Sequence, residues 1–290
     1  MPVVRSEKYY FSRGDLVLQV ENILFRLHRD ILEVHSAFFR DMLSMPTSDD
    51  KEGTSDDNPL RLPRDLSSAE SFTILCSFIY PTDVGEMPAI QVKQLYIWEP
   101  VLEATMALQM PSIQRYILTK FEQDHANVAF DPVNLLSWAM RSDAALDSLK
   151  LECFQILAYR RLSLSPTEGM ILGVKAATLV MYVRERIRSM FISSDSLQRD
   201  IVPHSTCGTK SACQKHIFHQ IVKNLTMDPL ALHLKDGIQD KSDIFQIESG
   251  GQYCYECGPT ISDLARSLRR VRLDAEVRKC IEGLALGTAK

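Results

Sequence analysis

The residues best equipped for chemistry in this 290-residue chain gather in its last third: His204, Cys207, Cys213, His216 and His219, then the run Cys254, Tyr255, Glu256, Cys257. With Cys280, this region holds five of the 7 cysteines. A C-x-x-C pair offers two sulfurs from one tight turn, and a second pair from a distant segment closes a tetrahedral site at about 2.3 Å per Zn–S bond. Cys207, Cys213, Cys254 and Cys257 make such a set, with His216 as an alternative ligand, so structural zinc is the one cofactor the sequence suggests. It would supply folding energy to a region poor in long apolar runs. The spacing is loose: C-x5-C exceeds the usual two to four, and a gap of about 40 residues is long for a finger. Free cysteines packed as small hydrophobes explain the same letters. A redox role for Cys254 and Cys257 lacks the βαβ surroundings such a motif keeps.

Beyond Cys257, Gly258 and Pro259 turn the chain into a helix from about Ser262. Leu264, Leu268, Val271 and Ala275 are expected in one stripe and Arg266, Arg269, Arg270 and Arg272 over much of the rest. A basic helix after a zinc knuckle is a shape used on nucleic acid, where arginines neutralise phosphates. Asp263, Asp274 and Glu276 interrupt the patch, and a net charge of -4 gives no global drive toward a polyanion. No phosphate loop, dinucleotide fingerprint or nucleophile elbow occurs, and only 12 glycines are available to build one. Asp15 and His28 could be taken for an acid/base pair, but no nucleophile or metal motif stands near them. The chain is therefore expected to be non-enzymatic.

The elements that must position these groups begin at residues 14–43. Leu16, Leu18 and Val20 alternate with Val17 and Gln19, Glu21 and Asn22 turn the chain, and Ile23, Phe25 and Leu27 complete a hairpin. Ile31, Leu32, Phe38, Phe39, Met42 and Leu43 then recur at helical spacing, with Ser36 placed to cap a second short helix. In order and spacing, Asp15, the F-x-x-H-basic group of Phe25, His28 and Arg29, then Leu32, and S-x-x-F-x-x-M from Ser36 through Phe39 to Met42 resemble the start of a BTB/POZ domain. The run Trp98 to Ala104 and the pair Tyr80 and Pro81 resemble most closely the expanded BTB proteins of basidiomycete fungi.

The resemblance implies an α+β fold: a BTB/POZ core of a small sheet with surrounding helices, followed by an all-helical extension and a Cys/His-bearing C-terminal region. The expected boundaries are 1–123, 124–195 and 196–290. It further implies a homodimer formed through Tyr10, Phe11, Leu16, Leu27, Ile31, Leu32 and Phe38, and a charged pocket of Asp15 and His28 beside that interface. The implied function is a protein-protein interaction scaffold. The alternatives are a substrate adaptor of a cullin-type ubiquitin ligase and a zinc-stabilised nucleic-acid-binding regulator.

Caps and prolines punctuate the remainder. Residues 48–57 read as an exposed acidic loop, with Ser48 and Ser55 before acidic pairs, and residues 59–62 as a short strand. Ser67 to Glu70 reads as a capping box, Pro100 and Pro111 as first helical residues, Asp131 and Pro132 as a cap followed by proline, and Ser165 to Glu168 as a second capping box. The last helix of the extension, from Val174 to Met190, turns Val180, Val183 and Ile187 inward and spreads Arg184, Arg186 and Arg188 over its solvated side. Neither a secretory leader nor a stretch of roughly 20 apolar residues is evident, and the buried pattern around Cys76 and Cys153 suits reduced thiols. An intracellular site, cytoplasmic or nuclear, is expected.

Overall fold

The computed structural model describes residues 2–45, 52–81, 87–142, 146–193, 195–226, 243–247 and 253–285. The chain divides into two compact units, Met1–Phe130 and Asp131–Lys290.

The first unit is built on a four-stranded sheet of order β1-β3-β2-β4. β2 (Leu16–Val20) and β3 (Ile23–Leu27) form the expected antiparallel hairpin, Leu18 facing Phe25 across it, with Glu21 in the turn at φ 52°. β4 (Leu60–Leu62) lies parallel to β2. β1 (Val4–Tyr10), parallel to β3 at the opposite edge, has no counterpart in the sequence reading. Its residues are mostly exposed and do not alternate, so no period-2 signal marks it.

The acidic loop is less free than its composition suggests. Ser48 to Lys51 fall outside the described residues, but Gly53 is buried against β2. Val17 N–H donates to the Gly53 carbonyl at 2.6 Å, and Gly53 N–H to that of Asn58 at 2.7 Å. Gly53 has φ +78°, and a Cβ there would sit 2.9 Å from Leu16 Cδ1, so only glycine fits both the backbone and the space. Asp56 then binds β1: it accepts from Arg5 Nε at 2.7 Å and from the Tyr10 hydroxyl, while the Arg5 guanidinium lies over the Tyr10 ring.

The helices of this unit are α1 (Arg29–His35), α2 (Ala37–Ser44), α3 (Ala69–Ile79), α4 (Leu95–Ala107) and α5 (Pro111–Gln123). Ser36 caps α2 as expected, accepting from Phe39 N–H at 3.1 Å, and its own hydroxyl donates to the Leu108 carbonyl at 2.6 Å. Two sequence expectations need correction. The cap of α3 is Ser68, paired with Ser71, while Ser67 stays outside the helix and Glu70 is exposed. α4 starts at Leu95, leaving Pro100 inside it. Burial of Leu95 and Trp98 carries the helix a turn upstream of the proline, whose missing N–H costs the Tyr96 carbonyl its intrahelical bond.

The second unit is helical: α6 (Pro132–Arg141), α7 (Asp147–Tyr159), α8 (Pro166–Ser193), α9 (Asp195–Arg199), α10 (Lys210–Thr226), α11 (Ile261–Leu268) and α12 (Asp274–Ala285). Asp131 caps α6 through Asn134 N–H. Ser165 and Glu168 form a reciprocal capping box at α8, Ser165 N–H to Glu168 Oε2 at 2.8 Å and Glu168 N–H to Ser165 Oγ at 3.2 Å. Arg160 adds a bidentate pair to Glu168. Burial alone would raise the Glu168 pKa, but these donors hold it below its ordinary value. α8 breaks at Gly173, φ 73°, so its long segment starts at Val174 as the sequence indicates. Side chains from α7, α8, α10, α11 and α12 share one core, which includes Tyr159, Ile187, Ile217, Phe245, Leu268 and Val277.

Arg184 departs from the expected solvated face. It is 7% exposed, and its guanidinium donates to the carbonyls of Leu157 (2.6 Å), Arg160 (2.8 Å) and Arg161 (3.3 Å), where α7 ends. The last carbonyls of a helix lack intrahelical donors and carry its negative pole, so a buried cation serves them in place of water. Burial pulls its pKa down to about 10, leaving it charged at neutral pH. The stripe of the last helix also differs. A π-turn at Arg269–Leu273 adds one residue to the repeat, so Leu268 is followed inward by Leu273 while Val271 is 73% exposed and Ala275 also faces solvent.

Replacing Arg184 with methionine leaves the α7 carbonyls buried without donors. It is expected to lower stability by roughly 3 kcal/mol in urea denaturation, against about 0.5 kcal/mol or less for Ala at the exposed Arg186. Equal, small losses for the two variants would show that the buried guanidinium is not what closes α7.

Candidate functional site

Two segments, separate in sequence, bring four cysteines together in the second unit. Cys207 lies in a turn closed by its own N–H on the His204 carbonyl (3.0 Å), and Cys213 sits in the first turn of α10, its N–H on the Thr209 carbonyl (3.0 Å). The five residues between them hold a further turn, at Gly208 and Thr209, and the helix start, which is why the spacing is wider than in a simple knuckle. Cys254 and Cys257 flank a tight turn in which Cys257 N–H points to Cys254 Sγ at 3.4 Å and Gly258 N–H to the Cys254 carbonyl at 3.0 Å. α11 follows after one 3-10 turn, Gly258–Thr260.

The four Sγ atoms lie within 4.8 Å of one another, with Cys207 3.8 Å from Cys213 and 3.4 Å from Cys254. Tetrahedral bonds of about 2.3 Å put neighbouring sulfurs about 3.8 Å apart, so the set fits a zinc-sized ion. All four are free thiols. Cys207, Cys213 and Cys257 are buried and Cys254 half-buried, and Leu264 packs against both this cluster and the main core. Donors converge on the sulfurs. Burial pushes the Cys213 thiol up, but the Cys254 N–H, the Thr209 hydroxyl and the neighbouring thiols outweigh it and bring it to about 7. Burial keeps Cys254, at about 12, and Cys257 on the raised side, the latter despite the backbone N–H of His204. Such a group stabilises one thiolate readily and further ones only beside a cation. Four protein ligands leave no position for water or substrate, so the arrangement can hold an ion structurally and not as a Lewis acid.

The histidine rings are not part of this sulfur cluster. His204 and His219 are exposed, and the His216 ring meets Tyr253 edge-on with centroids 4.8 Å apart. Three of the four arginines after the cluster are engaged in pairs: Arg266 with Asp263, Arg269 with Asp274, and Arg272 with Asp200. Asp274 also accepts from the Tyr159 hydroxyl at 2.8 Å. Each pair spends positive charge that a phosphate backbone would otherwise meet.

In the first unit, Asp15 and His28 do not form an acid/base couple. Asp15 Oδ1 accepts from Arg29 N–H at 2.9 Å, at the start of α1. The His28 ring packs against those of Phe11 and Tyr80, which also touch each other, and its Nδ1 is buried with no hydrogen-bond partner among the described residues. Of the apolar residues expected at a dimer interface, Leu16, Leu27 and Leu32 are at most 1% exposed, inside the unit's own core. Tyr10, Phe11, Ile31 and Phe38 keep part of their surface. The sequence reading missed Val34, which is 78% exposed on α1, and Val3 and Val4 at the free edge of the sheet. The signal for Val34 was available, an apolar residue off the inward period of α1, whereas β1 has no such period to set Val3 and Val4 against.

No helix among the described residues is long and apolar enough to cross a membrane. Residues 7–125 match the BTB/POZ domain family. No curated protein matches the chain.

Proposed function

Because this chain carries a BTB/POZ domain, a module that typically binds proteins and not substrates, we propose that it is a dimeric protein-interaction scaffold whose helical second unit is held together by structural zinc. The observation that carries the scaffold reading is the domain itself, with apolar residues left on its surface at Tyr10, Phe11, Ile31, Val34 and Phe38. Among the described residues β1 is an edge strand, which leaves backbone groups on its outer side open to pairing. An obligate interface of this kind hides roughly 2,000 Å² or more. The free thiols favour a reducing compartment, the cytoplasm or nucleus. The run Trp98 to Ala104 and the pair Tyr80 and Pro81 favour kinship with the basidiomycete BTB proteins.

Zinc fits Cys207, Cys213, Cys254 and Cys257 by sulfur spacing, burial and full ligand count. When bound, it supplies a cross-link between the start of α10 and the approach to α11. The protein's own part is to bring four sulfurs together and aim backbone donors at them. A second role, as adaptor to a cullin-type ubiquitin ligase, is favoured by the helical unit that follows the domain.

Light scattering is expected to give twice the 32.9 kDa chain mass. Val34→Glu should move the protein toward the monomer without changing its far-UV circular dichroism; a wild-type monomer at all concentrations overturns the dimer. Elemental analysis of protein purified without chelator should find about one zinc per chain. Cys257→Ser should abolish it while Cys76→Ser leaves it intact, and zinc-free wild-type protein would remove the metal from the proposal. Co-precipitation of a cullin under conditions that capture a known adaptor decides the second role.

A further inference from the structure

Beside the sulfurs of Cys207 and Cys213 stands a hydroxyl that no ligand count includes. Thr209 Oγ1 is 3.6 Å from Cys213 Sγ and 4.0 Å from Cys207 Sγ, and those two sulfurs are 3.8 Å apart. The same residue fixes the local backbone, since its carbonyl accepts the Cys213 N–H at 3.0 Å as α10 begins. Thr209 thus holds Cys213 from both ends, by main chain and by side chain.

The direction of the hydroxyl's bond depends on the state of the sulfurs. Between neutral thiols either partner can donate, and the bond is weak. Once an ion has displaced the thiol protons, both sulfurs accept only, and the hydroxyl is the donor in any bond to either of them. Hydrogen bonds to an ionised acceptor are about twice as strong as neutral ones. The bond is therefore worth more in the loaded protein than in the empty one, and that difference appears as ion affinity. The nearer sulfur, Cys213, is the natural acceptor, and it is 1% exposed, so water is a poor substitute for the hydroxyl. Cys254 receives its donor from a backbone N–H that substitution cannot remove. At Cys213 part of the donation comes from a side chain, which makes the site open to tuning by sequence.

We infer that Thr209 is a positioning residue of the four-cysteine centre, its hydroxyl donating to the Cys213 sulfur, and to Cys207 as the farther acceptor, to raise affinity for a thiolate-bound divalent ion. The inference rests on the metal reading above and adds a residue that is not a ligand. Removing a partner outside the ligand shell typically costs 10- to 100-fold in affinity.

The test uses the full chain, with Zn2+ affinity measured by competition against a chromophoric chelator and Co2+ as a spectroscopic probe of sulfur ligation. Thr209→Val keeps the branched shape and loses the hydroxyl; Thr209→Ser keeps the hydroxyl. Val is expected to weaken Zn2+ binding roughly 10- to 100-fold and to shift the sulfur-to-Co2+ charge-transfer band, while Ser restores both toward wild type. If Thr209 only supports the start of α10, Val will lower the melting temperature of metal-free and metal-loaded protein alike and leave the Co2+ spectrum unmoved, which overturns the inference. Wild-type affinity in Val overturns it as well, with the metal reading intact. Failure of the wild-type chain to bind either ion with sulfur ligation overturns both.

Discussion

Four sulfur atoms drawn within 4.8 Å of one another, three of them on buried residues, set the physical terms for the second unit. Thiols can pack as small apolar groups, but packing alone does not require that four of them meet or that N–H and O–H donors face them. That convergence joins a turn before α10 to a turn before α11 across a long stretch of chain. The apolar link is Leu264, which touches both the sulfur cluster and the core shared by α7, α8, α10, α11 and α12. An ion held here would act as a cross-link, removing chain entropy from the region with the fewest long apolar runs, where hydrophobic burial is least able to offset it.

The two units solve the same problem by different means. In the first, a small sheet and its helices bury Leu16, Leu18, Phe25, Leu27, Leu32 and Phe39 almost completely. Its loose parts are tied down by single polar contacts: Gly53 on β2, Asp56 on β1, and Ser36 between α2 and the Leu108 carbonyl. In the second unit, irregular segments run close to the core and their backbone groups must be answered one by one. Arg184 meets the end of α7, and Asn224 holds the carbonyls of Ile244 and Gln246. Buried polar side chains there do what regular strand pairing does in the first unit.

Local signals were legible where one residue type has one physical use. The Ser36 cap, the reciprocal box of Ser165 and Glu168, the proline starts at Pro111 and Pro132 and the break before Val174 all appear where the sequence reading expected them. The hairpin and the four-cysteine set were legible for similar reasons, alternation in one case and ligand chemistry in the other. Residues with two possible uses misled. Arg184 looked solvated because arginine usually is, and Pro100 looked like a helix start because proline usually is. Leu16, Leu27 and Leu32 looked available to a partner because apolar letters do not distinguish a domain's own core from an interface.

By itself the sequence determined most of the elements up to the end of α8, most of their caps, the BTB-like character of its N-terminal part and the identity of the sulfur donors, since each depends on residue type and short-range spacing. Only the tertiary structure decided which groups meet. Long-range approach brought the Cys254 sulfur to that of Cys207, Arg184 to the end of another helix and Asp56 to β1, and a single π-turn exchanged Val271 for Leu273 on the inward face. These outcomes depend on how elements distant in sequence pack, where each group takes the partner that desolvation leaves within reach, and no local pattern encodes that choice.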